Sequence, residues 1–209
     1  MKTVSASISP ARQRGVVLLF CLVILVILLA GGVAVMRSMN SSLFSAGNLA
    51  FKRDLVNQGE LAVSKAMQAF KTGGLATSTL TANSVPAENY SAVQLKVNEK
   101  LGIPDVLLKK TGLTGKDITN ADFTPTGGAI TGAGGVTVYY VIDRMCNASG
   151  SFATLGNSGC VSATTQVGGG TAGVAKPDLP PPAIYRLSIR VDGPRDTQVF
   201  LQSSFSRPE

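Results

Sequence analysis

The sequence predicts an α+β protein: one very long amino-terminal helix, then a carboxy-terminal part built on an antiparallel β-sheet. Three observations carry this. An uncharged apolar run fills Gly15 to Met36. The stretch from Arg37 to Lys71 contains no proline and repeats apolar residues at helical spacing. Segments around 136–143 and 185–205 alternate with the period-two pattern of strands.

The apolar run comes first. The chain has 209 residues, with 19 Lys and Arg against 12 Asp and Glu, for a formal charge of +7. Charged residues make up only 15% and mean hydropathy is +0.25. A soluble domain usually has about 25% charged residues, so part of this chain is suited to a non-aqueous setting. Gly15–Met36, 22 residues, reads GVVLLFCLVILVILLAGGVAVM. At about 1.5 Å per residue it reaches roughly 33 Å, enough for a hydrocarbon core of about 30 Å. A membrane-spanning helix is predicted, in which Cys21 is a small apolar filler and Gly31-Gly32 is tolerated. The preceding MKTVSASISPARQR carries Lys2, Arg12 and Arg14 and no acid. The positive-inside rule then holds the amino end in the cytoplasm and sends the carboxyl side across. A secretory signal has an apolar stretch of about 7–15 residues and then a small-x-small cut. Here the stretch is longer and continues past Ala30-Gly31-Gly32. A plain signal anchor is the competing reading.

The second helical half follows without a break. Leu49, Val56, Val63 and Phe70 recur every seven residues, and Phe51, Leu55, Ala62 and Ala66 broaden the stripe. Lys52, Arg53, Asp54, Asn57, Glu60 and Lys65 fall largely off it. Gly73-Gly74 ends it. One helix from Val16 to about Lys71 is roughly 84 Å long at 1.5 Å per residue.

Residues 72–209 suffice for one small domain. Residues 85–110 read as mixed short elements, with a short helix between the breaks at Pro86, Gly102 and Pro104. GGAITGAGG at 127–135 reads as a turn region. Val136, Val138, Tyr140 and Ile142 then alternate with Thr137, Tyr139, Val141 and Asp143 as a strand. Tyr185, Leu187, Ile189 and Val191 alternate with Arg186, Ser188, Arg190 and Asp192. The turn residues Gly193-Pro194-Arg195-Asp196 and the β-rich TQVFLQSSF complete a hairpin. Cys146 and Cys160 flank a polar Gly/Ser-rich loop, and on the periplasmic side of a membrane they pair as a disulfide. Closing a loop of that length is worth about 3 kcal/mol in the chain-entropy model. Residues 166–182 form a Gly- then Pro-rich connection.

Composition also excludes chemistry. Histidine is absent, which removes Ser-His-Asp and Cys-His catalysis, His-ligated zinc and a histidine pH switch. The cysteines at 21, 146 and 160 form no CxxC pair. TGLTGKD at 111–117 lacks the first glycine of a phosphate loop, and Asp117 replaces its Ser/Thr. Asp105, Asp117, Asp122 and Asp143 do not have EF-hand spacing. Asn147-Ala148-Ser149 matches a glycosylation sequon, a three-residue pattern common by chance. No basic cluster is interleaved with aromatics, so no nucleic-acid partner is indicated. Lys109-Lys110 and the scattered arginines read as solvated charges. Carboxylate, Lys or Ser-Lys chemistry stays open in principle, but no motif for it stands out, and no metal, no cofactor and no enzymatic activity are expected.

The junction Arg12-Gln13-Arg14-Gly15-Val16 is the sharpest feature: a basic leader ends in glycine and hydrophobicity begins at once. It resembles the class III leader of type IV prepilins and pseudopilins. The resemblance implies that a prepilin peptidase cuts after Gly15 and methylates the new amino terminus at Val16. Type IV pilins usually begin with Phe and carry a glutamate five residues in, which pairs with a neighbouring subunit's terminal amine. Here those places hold Val16 and Phe20. The resemblance thereby narrows to minor pilins of the PilX type and K-type pseudopilins, and it suggests a place at a filament end. Met36-Arg37, Gly47-Asn48-Leu49 and Gly59-Glu60-Leu61-Ala62 resemble the PilX-type amino-terminal region. The carboxy-terminal hairpin with Gln202 resembles the end of such proteins.

What the resemblance implies is a pilin-like fold with a leader over 1–15, a helix over 16–71 that spans the membrane at 16–36, and a periplasmic or extracellular head over 72–209. Its function is type IV pilus assembly, in the filament or in a tip-priming complex. The implied partners are the prepilin peptidase, other minor pilins, the major pilin, a PilY-type tip adhesin and the inner-membrane assembly platform. Type II secretion pseudopilins share the leader and helix, and gene neighbourhood separates the two. A signal-anchored periplasmic binding or enzyme domain is the alternative of another class, and it requires no cut after Gly15.

Overall fold

A computed structural model describes residues 14–109, 112–163 and 182–207. The leader up to Gln13, Lys110 and nearly all of the 166–182 connection lie outside the described residues. By its contacts the chain divides into residues 1–51 and 52–209.

Helix α1 runs from Arg14 to Lys71. Its first part belongs to the first unit, where residues 15–50 are exposed throughout. Its last five turns belong to the second unit and bury one face: Leu55, Gly59, Ala62, Ala66, Ala69 and Phe70. The seven-residue repeat predicts a slightly different face. Leu49 is exposed, and Val56 and Val63 are only half-buried. The buried line is displaced toward small residues because they let the helix backbone approach the sheet. Gly59 shows the reason most directly. A Cβ added there would lie 2.6 Å from Leu201 Cδ1 and 3.3 Å from a Val191 methyl. The helix ends as predicted at the glycine pair: Gly73 N–H donates to the Gln68 and Ala69 carbonyls, and Leu75 N–H returns to Ala69.

The short helix α2, Ser78–Thr81, is capped by the Thr77 side chain. Strand β1, Tyr90–Ser91, follows a single turn of 3-10 helix at Pro86–Glu88. The short helix expected between the breaks at Pro86 and Gly102 does not form beyond the 3-10 turn at Pro86–Glu88; the short helix α3, Asp105–Leu108, begins just after Pro104 instead. Strands β2, Gly115–Lys116, and β3, Asp122–Phe123, pair with each other. The glycine-rich 127–135 region includes a strand, β4 at Ile130–Thr131. The long strands are β5, Thr137–Arg144, β6, Ala183–Asp192, and β7, Gln198–Arg207. The Cys146–Cys160 loop carries helix α4, Phe152–Gly159. Its amino end is capped by Ser151 and its Phe152 is buried.

Five strands form one sheet in the order β1-β5-β6-β7, with β4 also pairing β5. β5, β6 and β7 run antiparallel, and the hairpin register joins Asp192 to Gln198 and Ala183 to Arg207. The expectation of a purely antiparallel sheet is corrected at one edge: β1 runs parallel to β5, with Tyr90 opposite Ile142. The fold is thus α+β, with a long helix whose carboxyl part packs on a mixed sheet.

Register assigns the two faces. Val138, Tyr140 and Ile142 pair with Val191, Ile189 and Leu187 on the helix side. There Phe70 meets Tyr185 and Phe205 edge-on, with centroids 4.9 and 5.2 Å apart. Tyr139, Val141 and Asp143 pair with Arg190, Ser188 and Arg186 on the opposite face. That face is also covered. Leu95, Val106, Leu107, Phe123 and Val141 form a second core, joined by Ile103, Leu113 and Tyr139.

Candidate functional site

The predicted processing and assembly residues all lie on α1 within the first unit. Gly15 is one residue past the start of the described helix, and a Cβ added there meets no described residue within 4 Å. Val16 and Phe20 are 57% and 61% exposed. Consecutive apolar residues from Leu22 to Leu29 are exposed as well, so the helix is greasy around its whole circumference and not along one stripe. Such a surface is not stable in water; it belongs in lipid or among other apolar helices. The helix is long and apolar enough to cross a membrane, with an 18-residue window of mean hydropathy 3.3. From Gly15 to Phe51 its only charge is Arg37. The segment therefore offers surface, and its only titratable side chains are Arg37 and the exposed thiol of Cys21. With Phe20 in place of an acid, it supplies no carboxylate to pair with an amine.

In the second unit, the structure shows a disulfide between Cys146 and Cys160. Both cysteines are buried. The bridge holds a strap beside the end of β5. Arg144, fully buried, donates from Nε to the Ala92 carbonyl at 3.3 Å and from Nη2 to Gly150 at 2.6 Å.

The arginines require a correction. Reading them as solvated charges fails for Arg144, Arg186 and Arg190, all buried. Arg186 donates from Nε to Asp143 Oδ1 at 3.0 Å and from Nη2 to Oδ2 and the Leu95 carbonyl. Leu95 N–H donates to Asp143 Oδ2 at 2.9 Å. Burial pushes the Asp143 carboxyl above the ordinary carboxylate range, while the Arg186 hydrogen bond and charge pull it back down. Arg190 donates to the Leu107 and Lys109 carbonyls at 2.6 and 2.5 Å. It also lies 3.1 Å from Asp192 and stacks over the Tyr139 ring at 4.4 Å. These groups tie the 93–125 segment to the sheet. Their partners are backbone carbonyls and one another, which suits a fastening role. Sequence reasoning missed this because Arg-x-Ser-x-Arg on a strand looks like a solvent face. A signal was present: Val93, Leu95, Val106, Leu107 and Phe123 need a second apolar surface to cover.

Among the described residues no group of three or more His, Cys, Asp or Glu side chains is placed to hold a metal. No protein-family model, no characterised protein and no solved structure matches this chain.

Proposed function

We propose that this chain is a type IV pilus minor pilin of PilX type. In this reading it enters the inner membrane with its amino end cytoplasmic and its head periplasmic. The prepilin peptidase cuts after Gly15 and methylates Val16. The chain then joins other minor pilins and the major pilin, in the filament or in a tip-priming complex that takes a PilY-type adhesin, through the assembly platform. Its work is assembly; it is not an enzyme, and it takes no cofactor and no nucleic acid.

The observation that carries the reading is the division of labour along α1. An apolar run that begins at the Gly15–Val16 junction has no covering partner among the described residues, and a small-residue face from Leu55 to Phe70 is used up on the sheet. A soluble domain does not need the first half, and a bare anchor does not need the second half to continue the same helix. Phe20 supports a place at a filament end, where a subunit lacks one neighbour.

Gly15→Val tests this. No described residue crowds a Cβ at Gly15, so the change is expected to leave the fold intact and to read out recognition of the glycine by the protease. The expected result is uncut precursor and failure to restore piliation in a strain lacking the protein. Normal processing and normal piliation by the variant would refute the proposal.

A further inference from the structure

Arg190 stands opposite Tyr139 in the β5–β6 register, on the face away from α1. It is 1% exposed, and its guanidinium lies over the Tyr139 ring at 4.4 Å. A buried cation is costly unless its donors are met. Nη1 donates to the Leu107 and Lys109 carbonyls. Nε lies 3.1 Å from Asp192 Oδ1 but out of line for a hydrogen bond, and both atoms are sealed from solvent. Nη2 differs. It has no acceptor among the described residues, and it is not sealed from solvent. The guanidinium thus has one nitrogen left over after its fastening role.

Arg190 and Tyr139 line a cavity of about 350 Å³ that is partly open to solvent. With Nη1 occupied twice and Nε sealed, Nη2 is the nitrogen left to face it. Leu113, Pro125 and Ala129 make the rest of the wall apolar. Gly112, Gly128 and Ala129 are exposed, and a Cβ added at either glycine meets no described residue within 4 Å, so the mouth is uncrowded. The wall is held without a ligand. Gly127 N–H donates to Asn89 Oδ1 at 2.8 Å, Asn89 Nδ2 donates to the Gly128 carbonyl at 3.3 Å, and Leu113 joins the second core. A pre-formed, mostly apolar cavity with one convergent polar group is the usual form of a small-molecule site, and its volume is of the usual order of about 300–1,000 Å³.

One cation set in an apolar wall selects its ligand. A hydrocarbon leaves Nη2 unmet. A phosphate brings more than one charge to a guanidinium that Asp192 already faces, and it presses charged oxygens against Leu113 and Pro125. A carboxylate brings a single charge and can carry an apolar group that suits the wall. We propose that this cavity binds a monocarboxylate bearing a small apolar group. The carboxylate accepts from Arg190 Nη2, and the apolar group lies against Leu113, Pro125 and the Tyr139 ring. A free short-chain carboxylic acid and the carboxy-terminal residue of a peptide share this chemistry. The site is independent of the pilin reading, and its failure leaves that reading intact.

The test uses the full chain in lipid nanodiscs and saturation-transfer NMR titration, with empty nanodiscs as the blank. The probes are N-acetylleucine, its neutral analogue N-acetylleucinamide, and 4-methylpentanoate. A hydrogen bond to a charged group exceeds a neutral one by enough for about a tenfold preference of N-acetylleucine over its amide. Arg190→Met should abolish that preference. Because Arg190 also fastens the 93–125 segment, a second pair of variants keeps the test decisive if that one fails to fold. Ala129 is an exposed lining residue, so Ala129→Glu and Ala129→Lys should melt as wild type does. The glutamate should weaken both acids about threefold and the lysine should tighten them by a similar factor, with the amide unmoved. Equal or tighter binding of 4-methylpentanoate points to a free acid, and tighter binding of N-acetylleucine to a peptide end. The proposal is overturned by no saturable binding of either acid, by wild-type affinities that do not distinguish acid from amide, by a preference that survives Arg190→Met, or by acid affinities that neither Ala129 change moves.

Discussion

Replacing Arg186 by leucine is the most informative perturbation of the head. Asp143 is fully buried and Arg186 nearly so. The leucine removes two hydrogen bonds to the carboxylate and one to the Leu95 carbonyl, and leaves the Leu95 N–H as a remaining partner of Asp143. Breaking one side of a buried pair costs about 3–5 kcal/mol, because the surviving charge is left without compensation. For a domain of this size that is a fall of about 10 °C in melting temperature. The pH dependence follows from the direction of the Asp143 shift. Its folded-state pKa is raised, chiefly by burial, so the folded chain keeps the proton at pH values where the unfolded chain has released it. The resulting stabilisation is complete below the unfolded value of about 4 and is lost as pH rises through the folded value. Removing Arg186 removes the largest opposing pull, so the folded value climbs and the loss extends toward neutrality. The deficit of the variant relative to wild type should therefore be largest at neutral pH and shrink on acidification. Thermal denaturation of the full chain in detergent, followed by circular dichroism at pH 7 and pH 5, reads both effects. A fall below about 2 °C, or a deficit that grows in acid, would refute the reasoning. The double change Asp143→Leu with Arg186→Leu should recover most of the loss, since apolar replacement of a buried pair is often neutral.

Replacing Cys146 and Cys160 together by serine should cost about 3 kcal/mol, and reductant should lower the wild-type melting temperature but not that of the variant. Gly59→Leu places a side chain where even a Cβ meets Leu201 and Val191. It should destabilise by about 1–3 kcal/mol despite its better helix propensity, as read by urea denaturation. Phe20→Glu restores the carboxylate that most type IV pilins carry. If its absence has a positional role, the variant should alter pilus number in a complementation assay, and unchanged piliation would count against that role.

The long helix and the last hairpin were legible because each rests on a dense local signal: an uncharged run, and alternation broken by Gly193-Pro194. At that turn Arg195 and Asp196 adopt positive φ, 59° and 57°, a conformation no composition rule assigns to arginine. The buried face of α1 was harder to read. Hydropathy weights Leu49, Val56 and Val63, whereas close packing on a sheet favours Gly59, Ala62 and Ala66. The edge strand β1 is two residues long and carries too little pattern for its parallel direction to be read. The paired residues Asp143 and Arg186 lie 43 positions apart, and only their strand register joins them. The Gly15–Val16 junction stands apart from all of these. Its signal is a chemical contrast along the chain, and the fold adds only that no described residue crowds Gly15.

The central claim is that Gly15 is the last residue of a leader that is removed from an assembly subunit. Intact-mass measurement with amino-terminal sequencing of the protein purified from its native membranes tests this directly. A mature chain beginning at Val16, with its α-amine methylated, is the predicted result. An intact Met1 start, or a cut near Gly32, would contradict it.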